Sequence, residues 1–276
     1  MRRLTAILIA AAMLVTTFAA GAGTATAASK ASYYLSLGDS LAAGEKAQYP
    51  DQLFKSVRGD FKQLRLVKMG CGGETTLGMI IGDVGCAPGI YPEGSQLAQA
   101  VAFLNAHAGE VAFITIDIGA NDILGLYGCL DFDTFILDGT CATTNLPTVD
   151  GRIAAIVQAL EAAAPDVPIY AMTYYDPLLG MWYFGYPTVA VADNAAVDQM
   201  NDGFSATYQA NGAVVADVWG AFESENWDVI QTDIWGTVPT NVARACDWTR
   251  FCTSADIHPN IAGYGVIAQA FADAMA

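Results

Sequence analysis

The sequence predicts an α/β fold: a three-layer sandwich with a central, mostly five-stranded parallel sheet flanked by helices. Three observations lead there. Short apolar runs rich in β-branched and aromatic residues alternate with longer stretches of helical spacing, the order of right-handed βαβ units. Apolar residues make up 54% of the 276 and charged residues 14%, enough to fill a core. No linker, repeat or low-complexity stretch interrupts the chain after its first 28 residues, so residues 29–276 read as one domain.

The elements follow in order. Tyr33 to Leu37 is the first strand-like run, and Tyr49 to Val57 the first stretch with helical spacing. Leu64 to Met69 and Val111 to Ile118 are the next two strands, with a helix at Ser95 to Ala106 between them. Thr148 to Ala164 reads as a helix, Val167 to Tyr174 as a strand, Val189 to Gln209 as a helix and Ala213 to Val218 as the fifth strand. Ile261 to Ala276 is the closing helix. Leu126 to Pro147, Tyr174 to Pro187 and Ala221 to Ser254 read as irregular, and connections this long in α/β proteins tend to carry function.

Ahead of these elements, Met1, Arg2 and Arg3 precede an apolar stretch from Leu4 to Ala20 and then the small residues Ala25-Thr26-Ala27-Ala28. That is the pattern of a secretory signal peptide, residues 1–28, with the mature chain beginning near Ala28 to Lys30. An uncleaved anchor is the rival, but the Gly/Ala/Thr-rich stretch from Gly21 is a poor end for a membrane helix. The expected location is extracellular. The net charge of −16 becomes −18 when Arg2 and Arg3 are removed. Such a surface offers no footprint for nucleic acid and is repelled by anionic membranes. No later stretch approaches the length of a spanning helix, so stable membrane insertion is not expected, and the chain reads as a monomer.

Six cysteines in an exported chain suggest three disulfides, although six allow 15 connectivities. Their clustering favours Cys71 with Cys86, Cys129 with Cys141 and Cys246 with Cys252, each closing a short loop. A metal site is the competing reading. No CxxC pair occurs and only two histidines exist, His107 and His258, so zinc-type spacing is absent. No metal and no cofactor is expected.

Parallel sheets carry their chemistry on the loops after the strands' carboxyl ends. The first strand ends in Gly38-Asp39-Ser40-Leu41, which places a serine on a strand-to-helix turn. Such a serine can be a simple helix cap. Ala42 stands where a GxSxG elbow would need its second glycine. After the second strand comes Gly70-Cys71-Gly72-Gly73-Glu74-Thr75-Thr76, whose glycines let backbone N–H groups approach a ligand. After the third comes Gly119-Ala120-Asn121-Asp122, where an amide could face an oxyanion. Before the last helix stands Asp256-Ile257-His258-Pro259-Asn260. His107 ends a helix and suits its dipole, which leaves His258 as the imidazole available to Ser40.

Taken jointly, GDSL, the glycine loop, GxND and DxHP in this order resemble the SGNH or GDSL hydrolase family. YYLSLGDSLAAG and TIDIGANDI are similar to its secreted actinobacterial members, and the resemblance runs from Tyr33 to the C-terminus. It implies an ester hydrolase with Ser40 as nucleophile and His258 as general base and acid. The Ser40 N–H, the Gly73 N–H and the Asn121 side chain would form the oxyanion hole, with Gly72 as a rival to Gly73. The family's usual acid lies three residues before the histidine. That position is Ala255 here and the acid is Asp256, so either Asp256 or a backbone carbonyl near Ser254 or Ala255 orients the imidazole. A small-molecule, lipid or glycan ester is the expected partner. The aromatic run Tyr174 to Phe184 could wall an acyl pocket or lie in the core. Trp219, Trp227, Trp235 and Trp248 could stack on sugars or be buried. An acetyl-glycan esterase of the same fold is one alternative. A metal-dependent phosphoesterase, with Asp39, Asn121, Asp256 and His258 as ligands, and a non-catalytic binding protein are the others.

Overall fold

A computed structural model describes residues 33–276 apart from 45–46, 62, 83–84 and 126–127. The signal-peptide reading of residues 1–28 lies outside the described residues. In chain order the elements are β1 (Tyr33–Gly38), α1 (Tyr49–Val57), β2 (Arg65–Lys68), α2 (Thr76–Ile81), α3 (Gln96–Ala106), β3 (Val111–Asp117) and α4 (Ala120–Ile123). A small hairpin, β4 (Leu130–Asp131) and β5 (Ile136–Leu137), leads to α5 (Gly139–Ala163) and β6 (Ile169–Met172). A 3-10 helix (Pro177–Trp182), α6 (Pro187–Ala210), β7 (Val214–Ala216) and α7 (Val218–Ala221) follow. The chain ends with the hairpin β8 (Val229–Thr232) and β9 (Gly236–Pro239), α8 (Thr240–Trp248), β10 (Thr249–Arg250), α9 (Phe251–Ser254), β11 (Asp256–Pro259) and α10 (Ile261–Ala274).

Five parallel strands form the central sheet in the order β2-β1-β3-β6-β7. All five anticipated strands are present. β1 and β3 are buried along nearly their whole length, as expected of parallel strands covered on both faces. α1 packs with α10, their contact made by Tyr49 stacked on Phe271 at 4.8 Å. α5 packs against both α3 and α6, and these helices form a second layer. The chain runs from β1 to β2 on one side and then returns to β3 on the other. The crevice at the carboxyl ends of β1 and β3 is therefore the topological switch point, where open α/β sheets bind ligands.

The differences from the sequence reading lie between these elements. α5 begins at Gly139 rather than near Thr148, so Pro147 is inside it. A proline there costs one backbone hydrogen bond. The helix start is fixed instead by Asp138, whose Oδ1 accepts from the N–H groups of Thr140 and Cys141, and by the Cys129–Cys141 disulfide. The segment from Tyr174 is largely core: Tyr174, Tyr175, Leu178, Leu179 and Met181 are buried, and Asp176 caps the 3-10 helix through Leu178 N–H. Only its end, Tyr183 and Phe184, is exposed. Trp219 is buried, Trp182 and Trp227 pack at 5.8 Å, and Trp235 donates to Asp247. The cysteines pair as their clustering implied, with Cα–Cα separations of 5.9, 5.5 and 5.1 Å.

Candidate active site

β1 delivers Ser40 on a turn whose backbone is tied down on each side. Gly38 has φ +136°, and a Cβ there would collide with the carbonyl and carboxyl groups of Asp117. Gln96 brackets the same residue: its Oε1 accepts from Gly38 N–H at 2.6 Å and its Nε2 donates to Gly38 C=O at 3.0 Å. Asp39 N–H donates to the Asp117 carbonyl at 3.0 Å and to its carboxyl Oδ2 at 3.2 Å. Asp39 Oδ1 then accepts from Leu41 N–H at 2.9 Å, a two-residue side-chain turn that spans Ser40.

Beneath the turn lie two buried acids, Asp39 at 2% and Asp117 at 0% exposure. Burial pushes both carboxyls up, and the negative charge of Asp39 raises Asp117 further, well above the carboxylate range. Tyr49 donates to Asp117 Oδ1 at 2.7 Å and Tyr174 to Asp39 Oδ2 at 3.3 Å. Both Asp39 oxygens are thus bonded inside the protein, which argues against Asp39 as the metal ligand that a phosphoesterase would need. Asp117, Gln96 and Tyr49 are not among the candidate residues read from sequence, and Tyr174 enters there only as the first residue of the aromatic run. The one available signal was an acid in the apolar run Ile116-Asp117-Ile118.

His258 faces Ser40 from β11. Its Nε2 lies 2.9 Å from Ser40 Oγ and its Nδ1 2.6 Å from Asp256 Oδ1. Asp256 Oδ1 also accepts the backbone N–H of His258 at 3.0 Å. With the carboxylate against Nδ1, the ring proton belongs on Nδ1 and the Nε2 lone pair points at the serine hydroxyl. Burial alone would raise Asp256, but the His258 N–H, the imidazole and Arg250, 3.3 Å from Oδ2, together hold it below its usual value. The two-residue spacing works because Ala255 adopts φ +53° and ends α9, turning the chain so that Asp256 reaches the ring.

β3 supplies the third corner. Gly119 (φ +115°) starts α4, and a Cβ there would press on Phe204 at 2.8 Å. Two residues on, Asn121 Nδ2 donates to Glu74 C=O at 3.0 Å, which joins it to the glycine loop. Asp122 fastens that loop: its carboxylate accepts from Thr76 N–H at 2.8 Å and Thr76 Oγ at 2.7 Å, with Arg152 at 3.5 Å. Cys71–Cys86 closes the loop from the other side. Gly73 needs its glycine, with φ +79°, and directly precedes the residue that Asn121 holds. Ser40, Asn121 and His258 line one cavity of about 40 Å³, and Gly73 is not among its lining residues.

A comparison with family models matches residues 36–266 to the GDSL-like lipase/acylhydrolase family. No curated protein matches the sequence. Among solved structures, the extracellular lipase of Streptomyces rimosus is similar, at 17% identity, with 87% of this chain and 100% of that one covered and a TM-score of 0.59. A lipase from a goat rumen metagenome shares 15% identity over 88% of this chain and 97% of its own, with a TM-score of 0.55. An acetylxylan esterase of Geobacillus stearothermophilus shares 15% over 90% and 95%, with a TM-score of 0.54. At these identities the structures show a common fold. The family match extends from inside β1 into α10 and so spans the serine turn, the glycine loop, the Asn121 corner and the histidine strand: the chain belongs to the GDSL-like lipase/acylhydrolase family and is an ester-hydrolysing enzyme.

Proposed function

We propose that the protein is a secreted serine esterase in which Ser40, His258 and Asp256 form the catalytic triad. The observation that carries this reading is the chain of contacts from Ser40 Oγ to His258 Nε2 (2.9 Å) and from His258 Nδ1 to Asp256 Oδ1 (2.6 Å). In the proposed reaction His258 takes the Ser40 proton as Oγ attacks the ester carbonyl, and Asp256 stabilises the imidazolium that results. The Asn121 amide, the Ser40 N–H and the Gly73 N–H receive the oxyanion. His258 then gives its proton to the departing alcohol, and water repeats the sequence to release the acid. Hydrolysis of p-nitrophenyl acetate by the wild type and by Ser40→Ala tests the assignment. Turnover abolished in a folded variant is the expected result, and retained turnover would remove Ser40 from the role.

Export is supported by the N-terminal pattern and by three disulfides, which persist in oxidising compartments. Among the described residues no helix is long and apolar enough to cross a membrane. N-terminal sequencing of protein recovered from culture medium should begin between Ala28 and Lys30. Recovery only from the membrane fraction with Met1 retained would contradict export with cleavage.

A further inference from the structure

Glu74 is a buried acid without a counter-ion. It is 1% exposed, and among the described residues no Lys, Arg or His pairs with it. Burial, with the nearby charges of Asp39 and Asp122, pushes its carboxyl up to about 7 despite hydrogen bonds from Gln96 and the Thr75 N–H. A carboxyl placed in this way costs the fold stability. What it touches is the frame of the oxyanion hole.

The glycine loop turns between Cys71 and Glu74. The Glu74 N–H donates to Cys71 C=O at 3.4 Å, with Gly73 at φ +79° as the third residue of the turn. Both ends of this turn are tied to Gly38, two residues before Ser40. At the start the Cys71 N–H donates to Gly38 C=O at 3.2 Å. At the end Glu74 Oε2 accepts from Gln96 Nε2 at 3.1 Å, and the fully buried Gln96 brackets Gly38 by its bonds of 2.6 and 3.0 Å. One tie would leave the turn free to pivot about Cys71. The second fixes its rotation, and with it the direction of the Gly73 N–H. The other fastenings of the loop run from Thr76 to Asp122 and from Cys71 to Cys86, not to the serine turn. Asn121 Nδ2 is set against the same residue, since it donates to Glu74 C=O.

We propose that Glu74 is a positioning residue of the ester hydrolysis: acting through Gln96, its carboxyl holds the Gly73 and Asn121 donors in register with Ser40. This rests on the serine esterase reading above. Glu74 itself touches none of the reacting atoms. A count of hydrogens separates the role from stability. Gln96 Nε2 carries two and faces three acceptors, Gly38 C=O, Glu74 Oε2 and the Tyr91 hydroxyl at 3.0 Å. Without the Glu74 carboxyl both hydrogens still have partners, so Glu74→Leu leaves the amide of Gln96 satisfied and removes only the link from turn to loop.

The test is hydrolysis of p-nitrophenyl acetate at about pH 8, where the carboxyl is ionised and its burial costs most, with Ser40→Ala alongside and a melt of each variant. Glu74→Leu should melt no lower than wild type. Its kcat should nevertheless fall about tenfold with KM within about threefold, since displacing a reacting group by about 1 Å can cost about 100-fold. Glu74→Gln keeps an acceptor for Gln96 and should stay about fivefold above Glu74→Leu in kcat. Wild-type kcat in Glu74→Leu, a loss confined to KM, or a loss that tracks a lowered melting temperature and is shared by Glu74→Gln would overturn the role while leaving Ser40-dependent hydrolysis standing. If Glu74→Leu fails to fold, Gln96→Glu decides. It keeps an acceptor for the Gly38 N–H, withdraws the donor from Glu74 and should lower kcat at constant KM. Adding Glu74→Gln to it restores a donor facing an acceptor and should raise kcat by about fivefold, whereas independent losses would multiply. A double variant slower than Gln96→Glu would overturn the role. Absence of Ser40-dependent hydrolysis in the wild type would overturn both readings.

Discussion

Replacing Asp256 by asparagine tests whether the shortened Asp-x-His spacing carries the electrostatic part of the proposed reaction. The asparagine Oδ1 can still accept from the His258 N–H and from Nδ1, which it now does at 3.0 and 2.6 Å, so the ring keeps its place. What disappears is the negative charge opposite an imidazolium that forms only during turnover. Two unit charges about 4 Å apart interact by about 4 kcal/mol at an effective dielectric of 20 and by about 1 kcal/mol in water. Both side chains are 35% exposed, so solvent screens the pair and the effect belongs between these limits. The expected loss in kcat/KM is thus about 5-fold to 1000-fold, with KM little changed. Asp256→Ala should lose more, because it also removes the acceptor that orients Nδ1–H. Initial rates on p-nitrophenyl acetate, with thermal melts of each variant, make the measurement. An Asp256→Ala enzyme within threefold of wild type, with unchanged melting, would refute the reasoning and favour a main-chain carbonyl as the orienting group.

Three further outcomes follow from the same geometry. Asn121→Ala should lower kcat by about 100-fold to 1000-fold, the usual cost of one oxyanion donor, and an effect confined to KM would place Asn121 outside the oxyanion hole. Asp117→Asn should flatten the wild-type fall in melting temperature between pH 4 and pH 7. The native carboxyl's pKa is pushed above its unfolded value, so wild-type stability declines as pH rises past the ordinary aspartate range. Parallel melting curves from pH 4 to 7 would sink that account. Removing Cys71 and Cys86 together should cost about 3 kcal/mol, since they close a loop of 15 residues, and a denaturant midpoint unmoved from wild type would show that the loop needs no staple.

The parallel sheet was legible because its strands are short, doubly buried and bounded by glycine or polar turns, and burial follows composition. The places of Ser40, Asn121 and His258 in the fold were legible for a related reason: each sits just past a strand end or just before a helix. The start of α5 was not, because the proline at 147 argues locally for a break while the forces that override it, the Asp138 cap and a disulfide to residue 129, act from elsewhere. The conformation of Ala255 was likewise illegible. Alanine carries no signal for φ +53°, and only the packing of α9 and the pairing of Thr249 with Pro259 and Arg250 with Asp256 impose it. Asp256 therefore looked one residue out of place when in space it is against the ring.

Two acids buried under Ser40 would be an expensive arrangement if they served only themselves. They serve the backbone around Ser40. Asp117 receives the N–H of residue 39, and Asp39 receives the N–H of residue 41, so the N–H groups of the two residues on either side of the serine are each anchored to a carboxyl. The upward push on the Asp117 carboxyl disfavours two adjacent buried charges, and its oxygens still accept from Asp39 N–H and from Tyr49. On this view the letters of Gly-Asp-Ser-Leu divide the labour. Glycine permits close approach to β3, aspartate closes the turn, serine offers Oγ to His258, and leucine walls the small cavity. Only one of the four needs to touch the reacting atoms with its side chain. The other three explain how the serine is held 2.9 Å from His258 Nε2.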